Sequence, residues 1–189
     1  MVAIGAQLQA ETEAEKNRND LLDLVESMKS RRVLSETIQG VERPENSPGN
    51  SLVVLYHGDF KVIIPAEEMV TLPEDLHGLP KSEVLFSMVN RRIGAEVDYV
   101  VKGVDQESGL AAASRLEAMA IRRREYYTGA GRDGNNLLYE GVCAEGRVVA
   151  IVRAGVFVEL FGVETSSPPR AERTSGCWTP LLSTSRGSG

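Results

Sequence analysis

Along residues 7–30, Leu21, Leu22, Leu24, Val25 and Met28 recur at helical spacing among Ala, Glu, Gln and Lys, so the pattern predicts a helix there. The period then changes. Arg32 to Glu42 reads RVLSETIQGVE, with β-branched residues in rough alternation, and predicts a strand. RPENSPGN, Arg43 to Asn50, predicts a loop. In SLVVLYHGDFKVIIP, the runs Leu52–Tyr56 and Lys61–Ile64 flank His57-Gly58-Asp59-Phe60, which predicts a hairpin because Gly58 tolerates the positive φ of a tight turn. Residues 66–90, with Pro73, Gly78 and Pro80, predict a loop carrying a short helix. Gly94 to Asp105 predicts a strand, Asp105–Gly109 a turn, and Leu110–Ala113 a short closing strand.

A second helix is predicted from Ser114 to Tyr127, followed by the glycine-rich linker TGAGRDGNN. From Tyr139 to Thr165 the β pattern restarts as a strand, a turn and a hairpin. Five strands with a helical break after the third make the layout of an OB-type Greek-key barrel. The expected fold class is therefore mainly β with flanking helices: one complete five-stranded OB barrel and a second, incomplete copy. The expected domains are an N-terminal helix (1–31), a first OB-type domain (32–113), a linking helix and linker (114–137), a truncated second OB-type domain (138–168) and a tail (169–189).

The second copy rests on an internal match. With VVLYHGDFKVIIP, Val53 to Pro65, set over FVELFGVETSSP, Phe157 to Pro168, Gly58 falls on Gly162 and Pro65 on Pro168, with Asp59 as one extra turn residue. The match fails where Ile63-Ile64 faces Ser166-Ser167, and the tail beyond has neither helical nor strand period. Two readings of that tail stand: a disordered terminus, or a one-base deletion in the gene. Codons for Phe-Ile-Pro that lose one base can read Ser-Ser-Pro, as found here.

Composition narrows the function classes. A chain of 189 residues, 42% hydrophobic and 25% charged, can bury a core. No apolar run approaches the roughly 18 residues that cross a bilayer, and Met1 to Ala14 does not read as a secretory signal. Cys143 and Cys177 stand far apart without metal-ligand spacing, which predicts reduced thiols and a cytoplasmic protein. A net charge of −6 argues against duplex-DNA binding, which normally shows a basic footprint. Residues 111–132 nevertheless carry Arg115, Arg122, Arg123, Arg124 and Arg132 against Glu117 and Glu125. Such a stripe suits salt-sensitive binding to single strands and is equally a solvated helix face.

No catalytic constellation is legible. GAGRDG, Gly129 to Gly134, follows a helix rather than a strand and so reads as linker, not a phosphate loop. His57 and His77 both fall in turn-like segments, and Glu67-Glu68 reads as helix-capping charge. No enzyme activity, metal or cofactor is expected.

Two stretches resemble the S-one RNA-binding domain, the OB repeat of bacterial ribosomal protein S-one. One is GRVVAIVRAGVFVELFGVE, Gly146 to Glu164, similar to the family's glycine-led first strand and its Gly-small-Phe-Val second strand. The other combines VIIPAEEM, Val62 to Met69, with GAEVDYVVKGVDQESGLAAASRLEAM, Gly94 to Met119. The resemblance implies single-stranded RNA binding, with mRNA and the ribosome as implied partners and no membrane. It places the family's stacking phenylalanine on Phe157. From the residues themselves, alternation puts Phe157, Glu159 and Phe161 on one strand face and Val156, Val158 and Leu160 on the other. The aliphatic set is expected to face the core, leaving Phe157 and Phe161 outward beside Arg147 and Arg153 as a base-stacking platform. His57 and Lys61 flank the first hairpin and complete the candidate RNA site. The rival function is a protein-interaction module that docks on a ribosomal or other partner without touching RNA.

Overall fold

The computed structural model describes residues 13–47, 49–128, 144–153 and 155–167. Residues 7–12 of the helix expected over 7–30, most of the glycine-rich linker, residues 139–143 of the restarting β pattern and the tail beyond Ser167 lie outside the described residues. Helix α1 spans Glu13–Ser30. The predicted first strand is divided into β1 (Leu34–Thr37) and β2 (Gly40–Glu42). The first hairpin is β3 (Leu52–His57) and β4 (Phe60–Pro65), as the pattern predicts, with Gly58 at φ 58° in its turn. Helices α2 (Ala66–Met69) and α3 (Lys81–Asn90) follow, so the stretch expected to carry one short helix carries two. Strands β5 (Glu96–Asp105) and β6 (Leu110–Ser114) precede α4 (Arg115–Tyr126). The last sheet is β7 (Gly146–Val152), β8 (Gly155–Leu160) and β9 (Val163–Ser167).

The protein is mainly β, with a curled six-stranded sheet in the order β1-β5-β6-β4-β3-β2. All pairings are antiparallel except β4 with β6. The bend between β1 and β2 links the two sheet edges: Ile38 N donates to Ala95 O at 3.0 Å, and Gln39 N donates to Val54 O at 2.8 Å. Alternation along the strands then separates two faces. Val53, Leu55, Val62, Ile64, Val97, Tyr99, Val101, Ala111 and Ala113 fill the concave side, where Leu24 of α1, Met69 of α2, and Leu85 and Val89 of α3 join them. The helices cover what the curled sheet leaves open.

Polar groups in this core find partners. A bulge between Val101 and Gly103 interrupts the β5–β6 ladder. Ser27 of α1, fully buried, accepts from Val101 N at 3.1 Å and donates to Arg32 O at 2.7 Å. Ser114 caps α4 by accepting from Glu117 N at 3.1 Å, and donates to Glu68 at 2.6 Å. Glu68, read as capping charge, thereby ties α2 to the start of α4.

The second sheet, β7-β8-β9, is an antiparallel meander. Its hairpin turn places Phe161 at φ 47° and Gly162 at φ 75°, both positive as a two-residue type I′ loop requires. This sheet packs on the convex side of β5 and on α4, and the orientation reverses the expected one. Glu159 is buried at 2% exposure, whereas Val148 is 56% and Ile151 73% exposed. The face holding Phe157, Glu159 and Glu164 turns toward the six-stranded sheet. The reason is electrostatic: Arg92, which follows α3, Arg115 of α4 and Arg147 of β7 pair with the carboxylates of that face, which could not be buried without them.

Candidate nucleic-acid interface

The convex side of β5 exposes little, because α4 and the second sheet cover it. Asp98 on that side stands among three partners. Arg147 of β7 donates to its Oδ1 at 2.6 Å, Arg122 of α4 donates to its Oδ2 at 3.2 Å, and the Ser35 hydroxyl donates to Oδ1. Burial pushes the Asp98 carboxyl up, but the hydrogen bonds from Ser35, Arg147 and Arg122 outweigh it and hold the group below the usual carboxylate range. Arg147 also pairs with Glu159 and with Glu96 at 2.8 Å; burial lowers its pKa, but the Asp98 and Glu159 carboxylates outweigh burial and hold its guanidinium firmly charged.

Deeper in the seam, Arg115 Nη2 donates to Glu159 Oε2 at 2.8 Å, and neither side chain is exposed. Arg115 Nη1 lies 2.9 Å from Glu164, whose Oε1 accepts from Arg92 Nη2 at 2.5 Å. Burial raises the Glu164 pKa, but the Arg92 hydrogen bond and the charges of Arg115 and Arg92 hold it below its ordinary value. The Arg92 guanidinium lies 5.1 Å from the centroid of the Phe157 ring. Together these contacts form a charged zipper between the two sheets.

An open cleft of about 520 Å³ lies at the outer end of the zipper, lined in part by Arg122, Arg147, Asp98, Tyr126, Phe161 and Gly162. Tyr126 and Phe161 stack at 5.4 Å between centroids, and Phe161 is 37% exposed. Gly162 fits only without a side chain: a Cβ there would meet Arg122 Cγ at 2.5 Å and Asp98 Oδ2 at 2.8 Å. The cleft thus brings Phe161 and Arg147 together, as the sequence suggested. It does not bring Phe157 with them to the surface, and Arg153 sits apart in the β7–β8 turn, exposed.

His57 and Lys61 separate by face. His57 follows Val53 and Leu55 on the concave side, at the mouth beneath α1. There its Nδ1 lies 3.1 Å from Glu36 Oε1 and 3.5 Å from the Tyr99 hydroxyl, and Asp23 of α1 lies 3.9 Å from Nε2. Burial, with Glu36 and Asp23 nearby, pushes the Tyr99 phenol well above its ordinary value. His57 is therefore a half-buried joint between α1 and the sheet rather than an open surface group. Lys61 faces outward, pairs with Glu42 at 2.8 Å and sits directly across from Tyr56, which is 49% exposed. Leu110, beside Lys61 on β6, is 37% exposed. Tyr56 is the residue that sequence reading missed. Its signal was the period: with Val53 and Leu55 inward, Tyr56 had to point out.

Among the described residues no group of three or more His, Cys, Asp and Glu side chains could hold a metal ion. No described helix is long and apolar enough to cross a membrane. No family model matches the chain, and no curated protein matches it.

Proposed function

We propose that the protein binds single-stranded RNA on the convex face of β3, β4 and β6, with the cleft at Phe161 as a second contact. The observation that carries this reading is the pair Tyr56 and Lys61: an exposed ring and a cation directly opposed on adjacent strands. An exposed ring can stack on any base, and an adjacent lysine can reach a phosphate, which is the chemistry of sequence-tolerant single-strand binding. The strand order supports the same reading. Counting β1 and β2 as one bent strand gives five strands, with the third parallel to the fifth and helices after the third, as in an OB-type barrel. In this reading β7–β9 is the first half of a second such unit. Translation or RNA metabolism is the role such a protein would serve, with mRNA as ligand and no enzymatic step.

The test is fluorescence polarisation of a labelled oligouridylate at two salt concentrations. Binding that weakens at higher salt, and weakens further in Tyr56→Ala, supports the proposal. Affinity indifferent to both changes defeats it.

One observation favours a second reading. Val148 and Ile151 leave an aliphatic surface on the outer side of β7, where a protein partner could bury it. On that reading Val148→Asp abolishes partner binding, and RNA affinity is absent in every variant.

A further inference from the structure

Phe157 shares its strand face with Glu159 and Glu164, the two carboxylates that enter the buried zipper. The guanidinium of Arg92 stands 5.1 Å from the Phe157 ring centroid. A planar cation over a ring occupies the place a stacked base would take. Arg92 is itself only 2% exposed and is fixed from two sides, by Glu164 at 2.5 Å and by the Met88 carbonyl at 2.7 Å.

The arginines of the zipper are occupied in a related way. Asp98 takes Arg147 and Arg122, Glu159 takes Arg115 and Arg147, and Glu164 takes Arg115 and Arg92. Guanidinium groups bind carboxylate and phosphate oxygens through the same forked donors. A polyanion can therefore compete for an ionic contact in a way it cannot for an apolar one. The sheet's orientation points the same way. Its aliphatic side stays open at Val148 and Ile151, while the side that carries Glu159 is turned inward.

We propose that this seam is a self-masking contact that single-stranded RNA opens. Asp98, Glu159 and Glu164 stand in for RNA phosphates, and Arg92 stands in for a base over Phe157. The inference rests on the RNA-binding reading above and adds its regulation. The Tyr56 face stays accessible in the closed form, so a strand binds there first and stacks on the ring face of Phe157 that Arg92 covers only by displacing that arginine.

The experiment uses the full chain labelled with fluorophenylalanine, whose four phenylalanines give separable fluorine resonances. Phe157→Leu assigns one of them. The ligand is an oligouridylate of about 16 nucleotides, the upper site size of one such barrel. The expected result is a shift of the Phe157 resonance on titration, and a several-fold tighter Kd for Asp98→Asn and for Arg92→Met. If the oligonucleotide binds while the Phe157 resonance stays put and both variants bind as wild type does, the masking idea is overturned and the RNA reading survives. If no oligonucleotide binds wild type or either variant at low salt, the RNA reading itself falls. The wild-type titration needs no folded variant beyond the one used for assignment.

Discussion

Arg115 and Glu159 meet at 2.8 Å with no part of either side chain exposed to solvent. Two long polar side chains buried where α4 meets the second sheet lose their hydration, and only their pairing offsets that loss. Each also has a second partner: Glu164 and the Met69 carbonyl for Arg115, and Arg147 for Glu159. Arg115→Met should therefore destabilise by about 3 kcal/mol, the lower end for a broken buried pair, because both carboxylates keep one arginine. The double change Arg115→Met with Glu159→Met should recover part of that loss, since no buried charge at this position then lacks its partner. Urea midpoints of the single and double variants decide it, and a single variant as stable as wild type would sink the argument.

Much of the first hairpin was legible in the sequence because alternation along its strands separates an apolar face from a more polar one. The alternation Val53, Leu55 against Val54, Tyr56 and the positive φ of Gly58 are local facts, and they set the hairpin without reference to the rest of the chain. The division of the first strand at Ile38–Gln39 was not legible, because it depends on hydrogen bonds to Ala95 and Val54, distant in sequence. The orientation of the second sheet was misread for a clear reason. Val156, Val158 and Leu160 looked like a core face, and Glu159 looked like solvent. What overrides that rule is a set of arginines supplied by β7, α4 and Arg92 beyond α3, which no pattern within β8 reveals. His57 was misplaced in the same way: a histidine beside a turn reads as solvated until Glu36 and α1 close over it.

Ser27 offers a test of how α1 is held. Its hydroxyl takes the Val101 N–H, which lies past the last residue of β5 that pairs with β1. Ser27→Ala leaves that buried donor unsatisfied and should cost about 1–3 kcal/mol. Ser30→Ala, which removes an exposed hydroxyl bonded to Glu26 O within the same helix, should cost well under that. Thermal melts of the two variants compare them directly; equal effects would show that the Val101 N–H is satisfied in another way.

Acid should loosen the seam. Asp98 and Glu164 have folded-state pKa values below their ordinary values of 3.8 and 4.5. The folded form therefore binds these protons less readily than the unfolded form, so the contribution is complete above the ordinary values and lost as pH falls through the lowered ones. The thermal midpoint should drop as pH is taken from about 5 to below 4, and Asp98→Asn should flatten that slope while lowering the plateau. A midpoint that rises on acidification would contradict the sign.

The two residues beside the first hairpin turn separate surface chemistry from architecture. Tyr56 points out across from Lys61, whereas His57 points in at Glu36 and Tyr99. If the convex face binds RNA, Tyr56→Ala should weaken oligouridylate binding roughly 5- to 150-fold, the range for losing one stacked base, while leaving the melting temperature nearly unchanged. Lys61→Ala should reduce the slope of log affinity against log salt by about 0.7, the value for one phosphate contact on a single strand. His57→Ala should do the reverse of Tyr56→Ala: it lowers stability by loosening α1 and leaves affinity per folded molecule intact. Polarisation titrations beside melts of all three variants make the comparison. Should His57→Ala cut affinity while Tyr56→Ala does not, the binding face is on the concave mouth and the assignment of Tyr56 is wrong.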